Sequence, residues 1–462
     1  MSSLDPAEKR KQEILYGPVV RTLMKLAVPT VVSNLLSTAY NLLDTFWLGG
    51  LGSSALSAPM MSWPIISLIF SFVFGLSGAA IALISQNRGA GRDEDARKSL
   101  AHIIIVVILI GAPLAIIVYI MLGWIPRLLK LTPEFAESFM NYAPIALVGQ
   151  TIMGLAMIGG MAFRVWGYPE VALYVRVPFV LLNAVLDPFL IYGWGPFPRL
   201  EVRGAAIATL IAEVLEASTL IALVFLHPRI RLRPKHFKVD ISLIRRIIYI
   251  GSPLGFSRMI TTSGFFVLLI VISRVGEYMI TAWSLVNRVM DIFTWMTFAF
   301  NMASATMIGQ AIGNNDFIRA KEIARKTALI VVGMRFLGSL AVAIFARPIL
   351  EIFHRNPEDP LRDLVISTSV TGMWTFGMSA AFFALSIVSL APFRASGKTQ
   401  YDMLISMVRL WGLRVPLSYI LGILLGYGSL GVWVGMALSN LIAGLLAYAL
   451  MEKDLWIHRI IE

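Results

Sequence analysis

Residues 26–50, LAVPTVVSNLLSTAYNLLDTFWLGG, form an apolar run in which Asp44 is the only charged side chain. A helix that crosses the hydrocarbon core of a bilayer needs about 20 mainly apolar residues, so this run is long enough to span a membrane. The whole chain has the same character, because 57% of its 462 residues are hydrophobic and only 14% are charged. That composition is too apolar for a soluble protein of this length and indicates an integral membrane protein.

Apolar runs of comparable length recur along the chain between polar breaks, whereas the short alternating segments of a β-barrel are absent. The predicted fold class is therefore all-α, integral to the membrane, with twelve transmembrane helices. The predicted spans are 21–48, 54–85, 100–123, 134–162, 170–193, 203–226, 244–274, 279–309, 318–345, 362–391, 401–425 and 430–451.

The distribution of lysine and arginine predicts the orientation of these spans. Most basic residues fall in the loops that are cytoplasmic if the amino terminus is inside, as the positive-inside rule requires. We therefore expect a multi-pass protein of the cell membrane with both termini in the cytoplasm. The net charge of +12 has the same origin, so it does not indicate nucleic acid binding.

Cysteine is absent and only five histidines occur, which excludes disulfides and thiolate metal sites and disfavours an imidazole metal cluster. The sequence contains no cofactor motif. No cofactor and no resident metal are therefore expected.

An internal repeat divides the chain into halves. An offset of 224 residues brings Pro29 onto Pro253 and Gly52 onto Gly276, and a slightly larger offset brings Gly204 onto Gly431. Six spans per half is an even number, so both halves enter the membrane in the same direction, as in several secondary transporters. We predict two pseudo-symmetric six-helix lobes: an N-lobe over 1–226, a basic cytoplasmic linker over 227–243 and a C-lobe over 244–462.

Two aspartates interrupt this symmetry. Asp44 aligns with Leu268 and Asp187 falls near Val415, so the fold itself does not require them. A charged side chain in the middle of a bilayer costs about 3 kcal/mol on insertion scales, and such residues mark ion or proton pathways. Counting residues from the outer ends of the spans at 1.5 Å each places both aspartates in one layer. We predict that they are the residues that couple transport to a cation.

Polar side chains occupy the same predicted layer. Tyr40 and Asn183 each precede an aspartate by four residues and so share its helix face, while Thr209 and Tyr142 lie at similar depth on spans six and four. These four residues are predicted to complete a pocket. Pro29 and Pro188 are predicted to kink spans one and five.

The chemistry open to this pocket is exchange of a proton or a sodium ion. A buried carboxyl group holds its proton at a higher pH than in water, and a neighbouring carboxylate strengthens the effect. The same oxygens suit Na⁺, with Asp44, Asp187, Asn183 and Thr209 as ligands. The alternative is that the two acids never meet and only hydrogen-bond neighbouring helices.

Other charged residues within the spans have no assigned role at this stage. Glu213 and Glu216 lie three residues apart, and Arg288 and Asp291 are expected to neutralise each other. Four arginines of the second half have no evident acidic partner in the sequence and suit headgroups, interhelical pairs or an anionic substrate: Arg258, Arg335, Arg409 and Arg414.

The stretch LAVPTVVSNLLSTAYNLLDTFWLGGLGSSALSA (26–58) resembles the opening span of the multidrug and toxic compound extrusion (MATE) family. The loops FRVWG (163–167) and FRASG (393–397) and the segment RGAAIAT (203–209) extend the resemblance over nearly the whole chain, closest to the archaeal and DinF-like branch. It departs from the sodium-coupled branch, because 253–274 and 364–391 contain no acid.

This resemblance implies a non-enzymatic carrier that exports small organic cations or amphipathic drugs in exchange for H⁺ or Na⁺ by alternating access. Asp44 and Asp187 occupy positions that look like the family's N-lobe pocket. We predict a proton-coupled multidrug antiporter, a monomer whose other contact is membrane lipid. The alternatives are sodium coupling or a flippase for lipids or lipid-linked oligosaccharides. A membrane enzyme is disfavoured because no catalytic motif is assembled.

Overall fold

The structure is a computed structural model that describes residues 6–128, 131–353 and 360–461. These ranges are almost entirely helical and contain no β-strand, which confirms the predicted all-α fold class. In the first half the helices are α1 Pro6–Tyr16, α2 Val19–Gly49, α3 Ser53–Gly89, α4 Asp93–Leu122, α5 Ile125–Leu128, α6 Pro133–Val165, α7 Pro169–Tyr192 and α8 Glu201–Leu226.

The described residues of the second half form ten α-helices and three segments of π-helix. The α-helices are α9 Ile241–Ser273, α10 Glu277–Gly313, α11 Phe317–Ile344, α12 Ala346–Phe353, α13 Arg362–Gly372, α14 Met378–Ser389, α15 Ala391–Ala395, α16 Gln400–Met407, α17 Val415–Tyr419 and α18 Gly428–Glu452. The π-helical segments are Met373–Gly377, Val408–Arg414 and Ile420–Leu424.

Ten helical stretches within the described ranges are long and apolar enough to cross a membrane. Helices α3 and α10, each 37 residues long, cover the predicted spans two and eight but are not among those ten. The protein is thus a multi-pass membrane protein, and the count of twelve spans stays a prediction. The short helices α1, α5 and α12 were not predicted.

Contacts divide the described chain into two units, separated within α9 between Gly255 and Phe256. The first unit comprises residues 6–14 and 25–255 with Ile461, and the second comprises 15–24 and 256–460. Each unit has its own buried apolar cluster. The cluster of the first unit centres on Leu48 and Ile191, and that of the second on Met290 and Trp433.

The repeat is visible in equivalent backbone features of the two units. Gly52 and Gly276 both precede a long helix with positive φ angles of 110° and 147°, a conformation that glycine adopts without a steric penalty. Gly204 and Gly431 each lie against the backbone of the preceding span. A Cβ on either glycine would stand 2.3 Å from a carbonyl oxygen, that of Leu190 or Leu421.

We expect Gly204→Ala to lower the stability of the protein, because neither backbone can yield to a methyl group at that distance. Forcing a methyl group into such a contact typically costs about 1–3 kcal/mol. The measurement is the midpoint of thermal unfolding of the purified protein in detergent. Gly333→Ala is the matched control, because no atom lies within 4 Å of its added Cβ. Equal midpoints for the two variants would contradict the close approach.

The segment after α8 is attached to the beginning of α4. Lys98 Nζ donates to Asp240 Oδ2 at 2.7 Å, and Glu94 pairs with Lys235 at 2.7 Å and with His236 at 3.0 Å. Hydrogen bonds from Lys98, Ser242 and the Leu243 amide hold the pKa of Asp240 well below its ordinary value. The folded state therefore gains stability from the ionised carboxylate at neutral pH and loses it only in strong acid.

Candidate functional site

The two aspartates singled out by the sequence meet in the structure. Asp44 lies on α2 and Asp187 on α7, where Asp187 is completely buried. Their carboxyl groups are close enough to share a hydrogen bond. The alternative in which the two acids stay apart is therefore wrong for this structure.

Three of the four carboxyl oxygens of this pair are buried without a hydrogen-bond partner in the described chain: Asp44 Oδ1, Asp187 Oδ1 and Asp187 Oδ2. Two ionised carboxylates can only accept hydrogen bonds, so they cannot bond to each other. A proton on one of them turns the repulsive contact into a hydrogen bond. The geometry thus suits a site that takes up and releases a proton or a small cation.

The four predicted polar neighbours surround the pair. Tyr40 Oη donates to Thr209 Oγ1 at 2.8 Å, and Asn183 Nδ2 makes a longer contact of 3.5 Å with the same oxygen. Tyr40 also lies within hydrogen-bonding reach of Asp44. Tyr142, on α6, lies within electrostatic range of both aspartates. The structure therefore collects side chains from α2, α6, α7 and α8 at one place in the first unit.

Both predicted kink prolines lie inside helices that continue past them. Pro29 is within α2, and the buried Pro188 follows Asp187 directly in α7. Proline has no N–H group, so the carbonyl oxygen of Ala184 loses its usual partner one turn earlier. The bends themselves stay a prediction.

Glu213 is a further acid of this pocket that the sequence interpretation did not include. Its carboxyl group lies against α6 at Gly149, where an added Cβ would stand 2.2 Å from Oε2. Glu213 is within electrostatic range of Asp44, Tyr40 and Tyr142. Neighbouring Glu216 instead approaches Arg176 at 3.9 Å. Arg176 also lies within electrostatic range of Glu213, which therefore connects the acidic pocket to the Arg176–Glu216 pair.

An aromatic recess lies just beyond the carboxyl pair along α2 and α7. It has a volume of about 570 Å³ and is lined by Phe46, Trp47, Gly49, Gly50, Tyr192 and Trp194. Tyr192 Oη donates to the Trp47 carbonyl at 2.6 Å, and the Tyr192 and Trp194 rings stack at 6.3 Å. Aromatic faces attract cations. These rings were not singled out from the sequence.

Three of the four arginines singled out in the second half lie within electrostatic range of an acid that the sequence did not reveal. Arg335 lies within electrostatic range of Asp291, and its Nη1 donates to the Met290 carbonyl at 3.0 Å. Asp291 therefore interacts electrostatically with Arg335 as well as with Arg288, the partner that the sequence predicted. Arg258 and Arg409 lie within electrostatic range of Asp402, which sequence reasoning had treated as the start of a span.

No group of three or more histidine, aspartate or glutamate side chains within residues 6–128, 131–353 and 360–461 is arranged to hold a metal ion. A sodium ion at the carboxyl pair would depend on Asn183 and Thr209 for its remaining oxygens.

Comparison with known proteins shows one family over both halves. The MatE family model matches residues 29–189 and 253–420, ranges that begin at the two prolines related by the offset of 224 residues. A Shewanella oneidensis protein named FAD transporter is 23% identical, with 96% of this chain and 97% of the relative covered. The probable multidrug resistance protein YoeA of Bacillus subtilis is 26% identical, with 96% of each covered.

A solved structure has the same fold. It is a MOP-superfamily transporter from Pyrococcus furiosus with a TM-score of 0.85 and 22% sequence identity, covering 96% of this chain and 97% of its own. At that identity the likeness concerns the arrangement of the helices and not the substrate.

Proposed function

Since this chain belongs to the MatE family of membrane transporters, we propose that it exports organic cations from the cytoplasm in exchange for protons. The family consists of transporters and not enzymes, so the buried acids serve translocation. In this proposal the protein works as a monomer in the cell membrane, with both termini in the cytoplasm, surrounded by lipid and without a cofactor.

The observation that carries the proposal is the carboxyl pair. Asp44 and Asp187 face each other with three oxygens lacking partners, so they bind either a proton or a positively charged group. A cationic substrate and a proton satisfy the same charge and therefore compete for it. Such competition is what an exchanger needs, because occupancy by one species releases the other.

The aromatic recess supports a cationic, flat substrate. Trp47 follows Asp44 by three residues and Tyr192 follows Asp187 by five, so the rings continue the same two helices beyond the acids. A cation over an aromatic face gains about 0.5–2 kcal/mol, and more when it is desolvated. The aromatic rings would bind the apolar part of an amphipathic cation, and the carboxylates would bind its positive charge.

The structure suggests a sequence of events for one cycle. Substrate from the cytoplasm occupies the first unit while the carboxylates are ionised. A proton from outside then bridges Asp44 and Asp187, removes one of their two negative charges and changes the hydrogen bonds of Tyr40 and Thr209, which releases the substrate. The proton leaves to the cytoplasm after alternating access has turned the pocket inward.

The test is ethidium efflux from proteoliposomes, because ethidium is permanently charged and does not respond to a pH gradient by itself. Vesicles loaded with ethidium at pH 7.5 are diluted into buffer of lower pH, with the membrane potential clamped by potassium and valinomycin. We expect faster efflux than at equal pH, and its loss when nigericin dissipates the gradient. Protein-free liposomes are the control.

A second efflux experiment, with a sodium gradient in place of the pH gradient, distinguishes the two candidate coupling ions. The same vesicles are diluted at equal pH into sodium chloride or choline chloride. Efflux driven only by sodium would retain the carrier and replace the proton by Na⁺ at Asp44, Asp187, Asn183 and Thr209. Efflux driven by neither gradient would refute the proposed function.

A further inference from the structure

Four arginines and one aspartate form a buried cluster in the second unit, far along the chain from the carboxyl pair. Arg394 donates to Asp402 Oδ2 from Nε at 2.6 Å and from Nη2 at 2.5 Å. Arg258 and Arg409 lie within electrostatic range of the same carboxylate, and Arg414 within range of Arg409. One carboxylate therefore lies near three guanidinium groups, with a fourth beside Arg409, which leaves a surplus of positive charge.

Arg409 is the member of the cluster with an unpartnered buried donor in the described chain. Its side chain is buried, its Nη1 atom has no hydrogen-bond partner in the described chain, and its guanidinium carbon lies 4.7 Å from the centre of the Phe383 ring. A guanidinium group stays charged in proteins and offers five donors. A buried donor without an acceptor is unfavourable, so an acceptor from outside the chain that reached Nη1 would be stabilised here.

The backbone brings Arg409 and Arg414 together. They are five residues apart within the π-helical segment Val408–Arg414. In an α-helix, residues five apart point about 140° away from each other, since each residue turns the helix by about 100°. Hydrogen bonding from i to i+5 widens the turn and brings the fifth residue closer to the face of the first, and π-helical turns are frequent at functional sites.

Hydrogen bonds to a neighbouring helix hold the Arg414 guanidinium in place, whereas Nη1 of Arg409 has no such bond in the described chain. Arg414 Nε donates to Ser439 Oγ at 3.0 Å and its Nη2 donates to Asn440, which in turn donates to Ser379 at 3.0 Å. The Arg414 guanidinium carbon lies 5.4 Å from the Phe376 ring centre. The cluster thus combines a rigid guanidinium, an unsatisfied one and aromatic faces.

We propose that the cluster around Arg409 binds the phosphate group of an amphipathic phosphate ester. Guanidinium groups match the oxygens of phosphate with two parallel hydrogen bonds, and Phe383 and Phe376 offer apolar faces to the rest of the molecule. This ligand class is opposite in charge to the cations assigned to the first unit. Binding here needs no ion gradient, so the proposal stands or falls independently of proton exchange.

Flavin mononucleotide and riboflavin are suitable probes, because they share the flavin ring and differ by one phosphate. Their affinities for the purified full-length protein in detergent are measured by fluorescence anisotropy. We expect flavin mononucleotide to bind at least about tenfold more tightly, because its phosphate adds a charge-assisted hydrogen bond to the guanidinium group. Equal affinities of the two flavins would overturn the proposal.

Variants locate the phosphate. Arg409→Gln should abolish the preference for flavin mononucleotide, while Arg409→Lys, which keeps the charge but loses the planar fork, should retain part of it. Arg335→Gln is the matched control, because Arg335 is equally buried but is bonded to Met290 and lies near Asp291. A full preference in both Arg409 variants would place the phosphate elsewhere and refute the site.

Competition distinguishes a lipid headgroup from a soluble phosphate. Bound flavin mononucleotide is titrated with inorganic phosphate, with dioctanoyl phosphatidic acid and with dioctanoylglycerol, which has no phosphate. Displacement by phosphatidic acid at much lower concentration than by inorganic phosphate would identify a lipid ligand, and similar potency would identify a soluble ester. Displacement by dioctanoylglycerol as effective as by phosphatidic acid would contradict recognition of phosphate.

Discussion

Replacing either Asp44 or Asp187 by asparagine is expected to reduce proton-driven ethidium efflux to the rate of protein-free liposomes. An amide has nearly the shape of a carboxyl group but neither binds a proton in this range nor carries a negative charge. Either substitution therefore removes both the exchangeable proton and the attraction for a cation. Ethidium efflux from proteoliposomes under an imposed pH gradient measures the effect.

The effects of the two substitutions on ethidium efflux should not be additive. Because the carboxyl groups act as one pair, the double variant should be as inactive as either single variant. Asp291→Asn is the matched control, since this acid faces Arg335 and Arg288 and no second carboxyl group. Gradient-driven efflux that persists in Asp187→Asn, or an equal loss in Asp291→Asn, would show that the pair does not couple transport. Thermal unfolding midpoints of all variants separate loss of function from loss of fold.

Removing Asp402 is expected to produce the largest loss of stability among single substitutions in the second unit. The Arg394–Asp402 pair is buried, with side-chain exposures of 12% and 5%, and Arg394 Nη1 also donates to Asn301 Oδ1 at 2.7 Å. Asp402→Ala leaves Arg394 charged without its carboxylate and increases the positive surplus of the cluster. Breaking a buried pair from one side typically costs about 3–5 kcal/mol. Unfolding of the purified protein in detergent measures the change.

An exposed pair of the same length is the control. Arg325 and Glu452 also approach to 2.5 Å, but their side-chain exposures are 60% and 28%. Solvent screens an ion pair at the surface and its side chains stay mobile, so Glu452→Ala should have a small effect. The combined Asp402→Leu and Arg394→Met variant should recover much of the stability lost on Asp402→Ala, because it removes both charges. Equal destabilisation by Asp402→Ala and Glu452→Ala would contradict the role of burial.

The membrane class and the helices follow from local properties of the sequence. Span length and apolar composition depend on residues that are neighbours in the chain, and α2 at Val19–Gly49 coincides closely with the predicted 21–48. The interruptions of the later spans were not foreseen. The π-helical segment before Val415 lies next to Pro416, which cannot donate a hydrogen bond, but proline alone does not predict which turn widens.

The sequence predicted which residues belong to the candidate site but not which of them contact each other. Depth counting placed Asp44, Asp187, Tyr40, Asn183, Thr209 and Tyr142 in one layer, which is a statement about distance along helices. Glu213 was left out because its contact with α6 requires the glycine at position 149, on a helix more than sixty residues earlier. Asp402 was overlooked because its position near a span boundary gives no hint of burial.

By itself the sequence determined that this protein is a helical membrane protein with a duplicated chain and two acids that the duplication does not explain. The first conclusion rests on the composition and periodicity of residues that are close in the chain. The second rests on the constant offset between equivalent residues of the two halves. The tertiary structure alone decided that Asp44 and Asp187 meet, that Trp47 and Tyr192 line one recess, and that Arg409 lies buried with an unsatisfied donor. Such contacts depend on how helices that are distant in sequence rotate and pack against each other. The residues around a side chain in the sequence therefore do not predict its partner on another helix.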